Sequence, residues 1–211
     1  MTLARTDVAN ELLKRGISLT DIEISLTLGQ FITNVDRIGF PDNPLQIHFN
    51  YKASQSDFIA EYNYKNSYYG IYTPNVTEAL KRIASELVPF VTRSGKFIPS
   101  GKLRPLTISQ SIAIVGIHEV RHRVQHELPH ISFFRPDSKS TDVVLMTLIE
   151  YVPILFENIR TLMRAQKLSE DFISLRTNEY EFDSNVVELY YSHKKIRTKE
   201  DVRSVLFAEP L

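Results

Sequence analysis

The segment His118-Glu119-Val120-Arg121-His122 combines two histidines and a glutamate within five residues. On a helix, His118 and His122 lie one turn apart on the same face, so they can bind one metal ion from the same side. Glu119 then lies beside them, where its carboxylate can reach a metal-bound water without binding the metal itself. The metal acidifies this water and the glutamate accepts the proton, so the spacing indicates a metal-dependent hydrolase.

The residues around this motif indicate an interior helix. Ile112 and Val115 lie on the same helical face as His122, and other apolar residues cover the remaining sides. Buried histidines and carboxylates need partners, and a metal ion would supply one. The alternative is a helix that carries titratable residues and binds no metal. Arg121 and Arg123 support this alternative, because charged residues are unusual so close to such a site.

A catalytic zinc usually takes three protein ligands and one water, so a third ligand is needed. One known arrangement places a histidine six residues after the second motif histidine, with a glycine between them. Leu128 and Gln125 occupy these two positions, so that arrangement is absent. His126 is one further turn along the helix, but it lies close to Pro129 and is predicted to be exposed.

A second arrangement takes a glutamate from a later helix, and Glu179 is the first candidate. Glu179 and Asp183 lie one turn apart, so Glu179 can bind the metal while Asp183 accepts the free ring N–H of one histidine. Glu150 and Glu157, on the intervening predicted helix, are rival third ligands. Carboxylates four residues apart are also common on a solvated helix face, which is the alternative interpretation of Glu179 and Asp183.

The two motifs together, His118-Glu119-x-x-His122 and Glu179-x-x-x-Asp183, resemble those of the gluzincin metallopeptidases. This resemblance implies one Zn²⁺ per chain, held by His118, His122 and Glu179. It implies that Glu119 is the general base and that Asp183 accepts the free ring N–H of a metal-bound histidine. The order of strands, motif helix and glutamate helix is similar as well, and it favours Glu179 over its rivals.

Two shorter segments carry narrower resemblances. The run from Glu179 to Asp183 is similar to the Glu-x-x-Ala-Asp segment of the prenyl-protease and HtpX-like group, although Phe182 replaces the small residue. The Asn178-Glu179 pair is similar to the Asn-Glu pair of thermolysin-like enzymes. The family likeness implies a zincin-like fold in which the last strand, here near 69–72, is an edge that pairs with substrate. The prenyl-protease membrane helices are missing, so the substrates of that group do not transfer.

The composition is that of an ordinary globular protein, and its balanced charges produce no net electrostatic field that would attract polyanions. The chain has 211 residues, with 25 basic and 25 acidic side chains, so no nucleic-acid partner is expected. It has no cysteine, so any metal must be held by His, Asp or Glu. The N-terminus lacks a signal-peptide core, and no apolar window is long enough to span a membrane, which together predict a cytoplasmic protein without membrane insertion.

Hydrophobic periodicity predicts an α+β fold, with a small antiparallel sheet packed on several helices that include a buried motif helix. We expect a single domain over 1–211, with a helical N-terminal part (1–40), a small sheet (45–73) and metal-binding helices (106–192). The predicted strands are 45–51, 58–64 and 67–73, joined as a meander. The predicted helices are 2–16, 19–37, 76–92, 106–128 and 139–166, with one or two more in 168–192.

The sequence therefore favours a zinc metallopeptidase that acts on a peptide or protein substrate. Such sites usually add a side chain that binds the oxyanion, and the sequence does not decide between Tyr190 and Arg176 for this role. One alternative is a gluzincin-like module that binds metal without peptidase activity and acts in binding or regulation. Another is a structural protein that binds no metal.

Overall fold

The computed structural model describes residues 5–52, 59–85, 106–194 and 196–210. These residues form eight helices and one three-stranded sheet, so the chain is a mostly helical α+β protein. The predicted loop at 94–105 and the end of the predicted helix 76–92 lie outside the described residues. No helix in the described part of the chain is long and apolar enough to cross a membrane.

Where the structure describes them, the predicted helices and strands begin and end close to the predicted boundaries. A last helix over 199–206 follows them and was not predicted. Their bounds are α1 Arg5–Lys14, α2 Leu19–Gly39, β1 Gln46–Asn50, β2 Ala60–Asn63, β3 Tyr68–Tyr72, α3 Val76–Ser85, α4 Ile108–Glu127, α5 Val143–Ala165, α6 Glu170–Arg176, α7 Glu179–His193 and α8 Lys199–Leu206.

The chain forms two compact units. The first unit contains the described residues up to 85 together with 106–123, and the second contains the described residues from 124 onward. The boundary falls inside the continuous helix α4, between Arg123 and Val124. The prediction that residues 1–211 form one domain stays a prediction.

The sheet in the first unit is mixed, so the predicted antiparallel meander is wrong. The strand order is β1-β3-β2, with β1 parallel to β3 and β2 antiparallel to β3. Alternation of apolar and polar residues predicts that a segment is a strand, but it carries no information on strand order or direction. β3 is therefore the central strand, and the expectation that 69–72 would form a substrate-pairing edge is also wrong.

The hydrogen bonds of β3 show which backbone groups of its neighbours face outward. The Thr73 N–H donates to the Asn50 carbonyl at 3.1 Å, and the Tyr72 N–H donates to the Ile59 carbonyl at 3.0 Å. Because backbone groups alternate in direction along a strand, Ile47 and Phe49 direct theirs away from β3 on the β1 side. Ala60 and Tyr62 do the same on the β2 side.

Helix α2 packs on one face of this sheet at a glycine. A Cβ added to Gly29 would lie 3.0 Å from Phe49 Cζ and 3.3 Å from Ile71 Cδ1. The glycine therefore allows the strands to pack directly against the helix backbone. Leu28, Ile32 and Ile71 are completely buried in this layer.

The second unit is helical, and its core lies between α5 and α7. The rings of Phe156 and Phe182 meet edge to face, with centroids 6.2 Å apart. Asn178 caps α7 by accepting the N–H groups of Tyr180 and Glu181, and Thr198 forms a capping box at the start of α8. These caps explain why α7 and α8 begin where they do.

Candidate metal centre

The motif residues lie on helix α4, which begins at a capping box. The Thr107 hydroxyl accepts the Gln110 N–H at 3.2 Å, while the Gln110 side chain accepts the Thr107 N–H at 2.8 Å. Ile117, Val120 and Val124 are completely buried, so the helix is an interior element, as its sequence predicts.

His118 and His122 point at each other from consecutive turns of α4. Their Nε2 atoms are 3.1 Å apart, and the two rings are close to perpendicular, with centroids 4.7 Å apart. Two nitrogens bound to one tetrahedral zinc ion lie about 3.3 Å apart, from a Zn–N distance of about 2.05 Å. The observed spacing fits a shared metal ion. It also fits one ring N–H donating to the other ring.

Glu181 supplies the third possible ligand atom. His118, His122 and Glu181 each offer one ligand atom, and these atoms lie within 4.8 Å of one another. Two imidazoles and one carboxylate are a ligand set that zinc accepts, although other divalent metals accept it too. Arg176 Nη1 lies 3.9 Å from Glu181 Oε1, so this candidate for oxyanion binding is next to the acid instead.

The predicted third ligand, Glu179, is outside this group. It is the first residue of α7, its side chain is 55% exposed, and its carboxylate lies 3.7 Å from the Arg135 guanidinium. Residues 179 and 181 differ by about 200° around a helix. The two acids therefore point in different directions from α7, and Glu179 as the metal ligand stays a prediction. In the sequence, Glu181 is one of several acids on this helix. Its spacing from the histidines is not a motif of the gluzincins, so the sequence did not single it out.

Asp183, the predicted partner of a metal-bound histidine, is completely buried in the second unit. It accepts the Phe134 N–H at 2.9 Å and the Gln125 side-chain amide at 2.8 Å. Gln125 Nε2 also lies 2.8 Å from the Tyr180 carbonyl. These bonds join α7 to the end of α4 and to the segment that follows it. The bond from Asp183 to a histidine stays a prediction.

The rival ligands lie on exposed surface. Glu150 and His126 are exposed, and Glu157 pairs with Arg160 at 2.5 Å. Tyr190, one of the two oxyanion candidates, donates its hydroxyl to Asp142 at 2.6 Å. That hydroxyl is therefore engaged in a contact within the second unit.

Glu119 is held at the free edge of the sheet. Its side chain is buried, with 8% of the residue exposed, and its Oε2 accepts the outward-facing Tyr62 N–H at 2.8 Å. Its other oxygen, Oε1, makes no hydrogen bond to any residue that the structure describes. The motif glutamate thus has one oxygen in a structural bond and one that can accept a proton.

Tyr72 is an ionisable residue that interacts electrostatically with Glu119, and the sequence analysis did not identify it. Burial raises its pKa, and the charge and hydrogen bond of Glu61, with smaller effects of Tyr68 and Glu119, bring it to about 12. The hydroxyl therefore keeps its proton at neutral pH. Only the order of the strands brings Tyr72 close to the motif glutamate, and no local sequence pattern signals this.

Arg123, which is unusual next to such a motif, forms a completely buried ion pair. Its Nη1 donates to both carboxylate oxygens of Asp36, each at 2.8 Å, and its Nη2 donates to the Asn43 carbonyl at 2.8 Å. Asp36 also accepts the Tyr69 hydroxyl at 2.6 Å and the Leu45 N–H at 2.9 Å. This cluster ties α4 to α2 and to the sheet, which gives Arg123 a structural explanation.

The comparisons with known proteins identify no relative. No protein-family model, no curated protein and no solved structure matches this chain. The likeness to gluzincins therefore depends on the two motifs alone.

Proposed function

We propose that this protein is a metal-dependent peptidase with a zincin-like fold, in which His118, His122 and Glu181 hold one Zn²⁺. The observation that carries the proposal is the 3.1 Å separation of the two histidine Nε2 atoms, with a Glu181 oxygen in the same group. Glu181 takes the place that the sequence motif suggested for Glu179. The expected substrates are peptides or proteins.

In the proposed hydrolysis, Glu119 is the proton acceptor and the Tyr62 N–H orients it. A bound metal ion would supply Lewis acidity to a water and to the scissile carbonyl. Glu119 would accept the water proton on Oε1 and pass it to the leaving amine. The Tyr62 N–H holds the other carboxylate oxygen, so the side chain keeps one orientation during both proton transfers.

Metal binding is tested first, with a matched pair of substitutions on α7. We expect wild-type protein to bind about one zinc per chain, measured by mass spectrometry after dialysis. Glu181→Ala should weaken zinc binding at least tenfold, whereas Glu179→Ala should leave it unchanged. The reverse result would restore Glu179 as the ligand. No bound metal in wild type, even after zinc is offered, would contradict the proposal and leave a structural protein.

Hydrolysis is tested separately with a fluorogenic peptide library. Glu119→Gln should keep zinc binding and abolish cleavage, because the amide cannot accept the proton. A second candidate function, a metal-binding module without peptidase activity, is favoured by the Tyr62–Glu119 hydrogen bond, which gives Glu119 a structural role. Stoichiometric zinc without cleavage that depends on Glu119 would support this second function.

A further inference from the structure

A groove of about 860 Å³ lies along the free edge of β1 in the first unit. Its lining residues come from α1, including Val8 and Leu12, and from β1. Helix α2 contributes others, including Leu26, Thr33 and Arg37. The groove is therefore lined by one strand and by the surfaces of two helices.

The strand edge in this groove offers backbone hydrogen bonds. Ile47 and Phe49 direct their N–H and C=O groups away from β3, and these groups have no partner among the residues that the structure describes. The preceding member of the outward-facing set, the Leu45 N–H, is bound by Asp36 at 2.9 Å. Ile47 and Phe49 together offer two donors and two acceptors, spaced as an added strand needs them.

The charges at the two ends of the groove differ. Arg15, near the end of β1, is neutralised by Glu11 at 2.8 Å and lies over the Tyr51 ring at 4.0 Å. Arg37 lies near the start of β1, next in sequence to the Asp36 that binds Leu45. Arg37 is exposed, and no described residue pairs with it. The start of β1 therefore presents a free guanidinium, a group that binds carboxylates.

We propose that this groove binds the C-terminal segment of an extended peptide, which adds to the sheet antiparallel to β1. In that direction the free C-terminal carboxylate reaches Arg37, and the backbone pairs with Ile47 and Phe49. β1 spans about 17 Å at about 3.4 Å per residue, which accommodates about five peptide residues. Apolar side chains of the peptide contact Leu12 and Leu26. This site is separate from the metal centre and does not depend on peptidase activity.

The test uses positional-scanning hexapeptide libraries with an N-terminal fluorescein, made both as free acids and as C-terminal amides. Binding to the full-length protein is measured by fluorescence anisotropy in the presence of a chelator, so that hydrolysis plays no part. At least one free-acid pool should bind, and its amide counterpart should bind at least tenfold more weakly. Arg37→Glu should cause the same loss, whereas Lys65→Glu, an equal charge change on an exposed turn, should cause none.

Amide hydrogen exchange of the wild-type protein tests the backbone pairing without a substitution. The Ile47 and Phe49 amides should become protected when the best free-acid peptide binds, and the Ala60 amide on the opposite edge should not change. Three outcomes overturn the proposal: no pool binds at about 1 mM, acid and amide peptides bind equally, or the Ile47 and Phe49 amides stay unprotected in the complex.

Discussion

The backbone N–H of Tyr62 donates to Oε2 of Glu119 across 2.8 Å, and this bond joins the His-Glu-x-x-His helix to the outer edge of the sheet. The bond uses an N–H that faces away from β3, so it is additional to the sheet ladder. It orients the one motif side chain that the proposed chemistry needs as a proton acceptor. The orientation of the Glu119 carboxylate therefore depends on the edge strand β2.

Tyr62→Pro removes this N–H without removing a ladder hydrogen bond, because proline is tolerated at outward-facing positions of edge strands. Relative to Tyr62→Ala, which removes the same ring, we expect the free energy of unfolding to fall by about 1.5–3 kcal/mol, the usual contribution of a hydrogen bond to a charged group. Peptidase turnover should fall while zinc affinity stays constant, because Glu119 is not a ligand. Urea denaturation and zinc titration measure both effects.

Tyr62→Ala is the matched control, because it removes the same ring, which lies 5.6 Å from the Tyr69 ring, and keeps the N–H that Glu119 accepts. It should leave turnover at the wild-type value. An equal loss of turnover in both variants would show that the loss of the ring is the cause and that the Tyr62–Glu119 bond has no specific role.

Arg123→Leu should destabilise the protein strongly, because it leaves the Asp36 carboxylate buried without its cation. Both side chains are 0% exposed, and breaking such a pair from one side costs about 3–5 kcal/mol. The measurement is the urea midpoint. Arg164→Leu, which breaks the exposed pair with Glu170, should leave the midpoint unchanged. Equal effects of the two substitutions would contradict the structural role of Arg123.

Gly116→Ala should be unfavourable because of Phe31. A Cβ at position 116 would overlap Phe31 Cδ1 and lie 2.8 Å from Phe31 Cε1. Inserting a methyl group into such a contact costs about 1–3 kcal/mol. In a Phe31→Ala background the same substitution should become neutral or favourable, because alanine is the better helix former. A double-mutant cycle of thermal unfolding measures this coupling, and additive effects would exclude the contact.

Asp142 should make the second unit sensitive to acid. Burial acts to raise the pKa of Asp142, but hydrogen bonds from Tyr190 and Lys194 outweigh burial and lower it from 3.8 to about 2. A carboxyl with a lowered pKa contributes stability that is present above its unfolded-state pKa and is lost as pH falls through the folded value. The loss should therefore occur between about pH 4 and pH 2.

Asp142→Asn tests this pH dependence, because asparagine can still cap the start of α5. The wild-type protein should lose more stability than the variant between pH 4 and pH 2, measured by urea denaturation at each pH. Parallel curves for the two proteins would show that the Asp142 contacts contribute nothing to acid sensitivity.

The sequence by itself determined the interior helix, the facing pair His118 and His122, and most element boundaries. Each of these follows from local rules, since residues four apart on a helix share a face and caps such as Asn178 act within one turn. The existence and position of the three strands also followed from alternation. An α+β class could therefore be predicted without any knowledge of tertiary contacts.

Only the tertiary structure decided the strand order and which acid at the start of α7 is exposed. Glu179 and Glu181 differ by about 200° around α7, so their exposure depends on how that helix is rotated. The rotation follows from burial of Phe182, Val186 and Val187, and Glu179 is left exposed at the first position of the helix. The pairing of Tyr62 with Glu119 has the same origin, because it requires two segments 57 residues apart to meet.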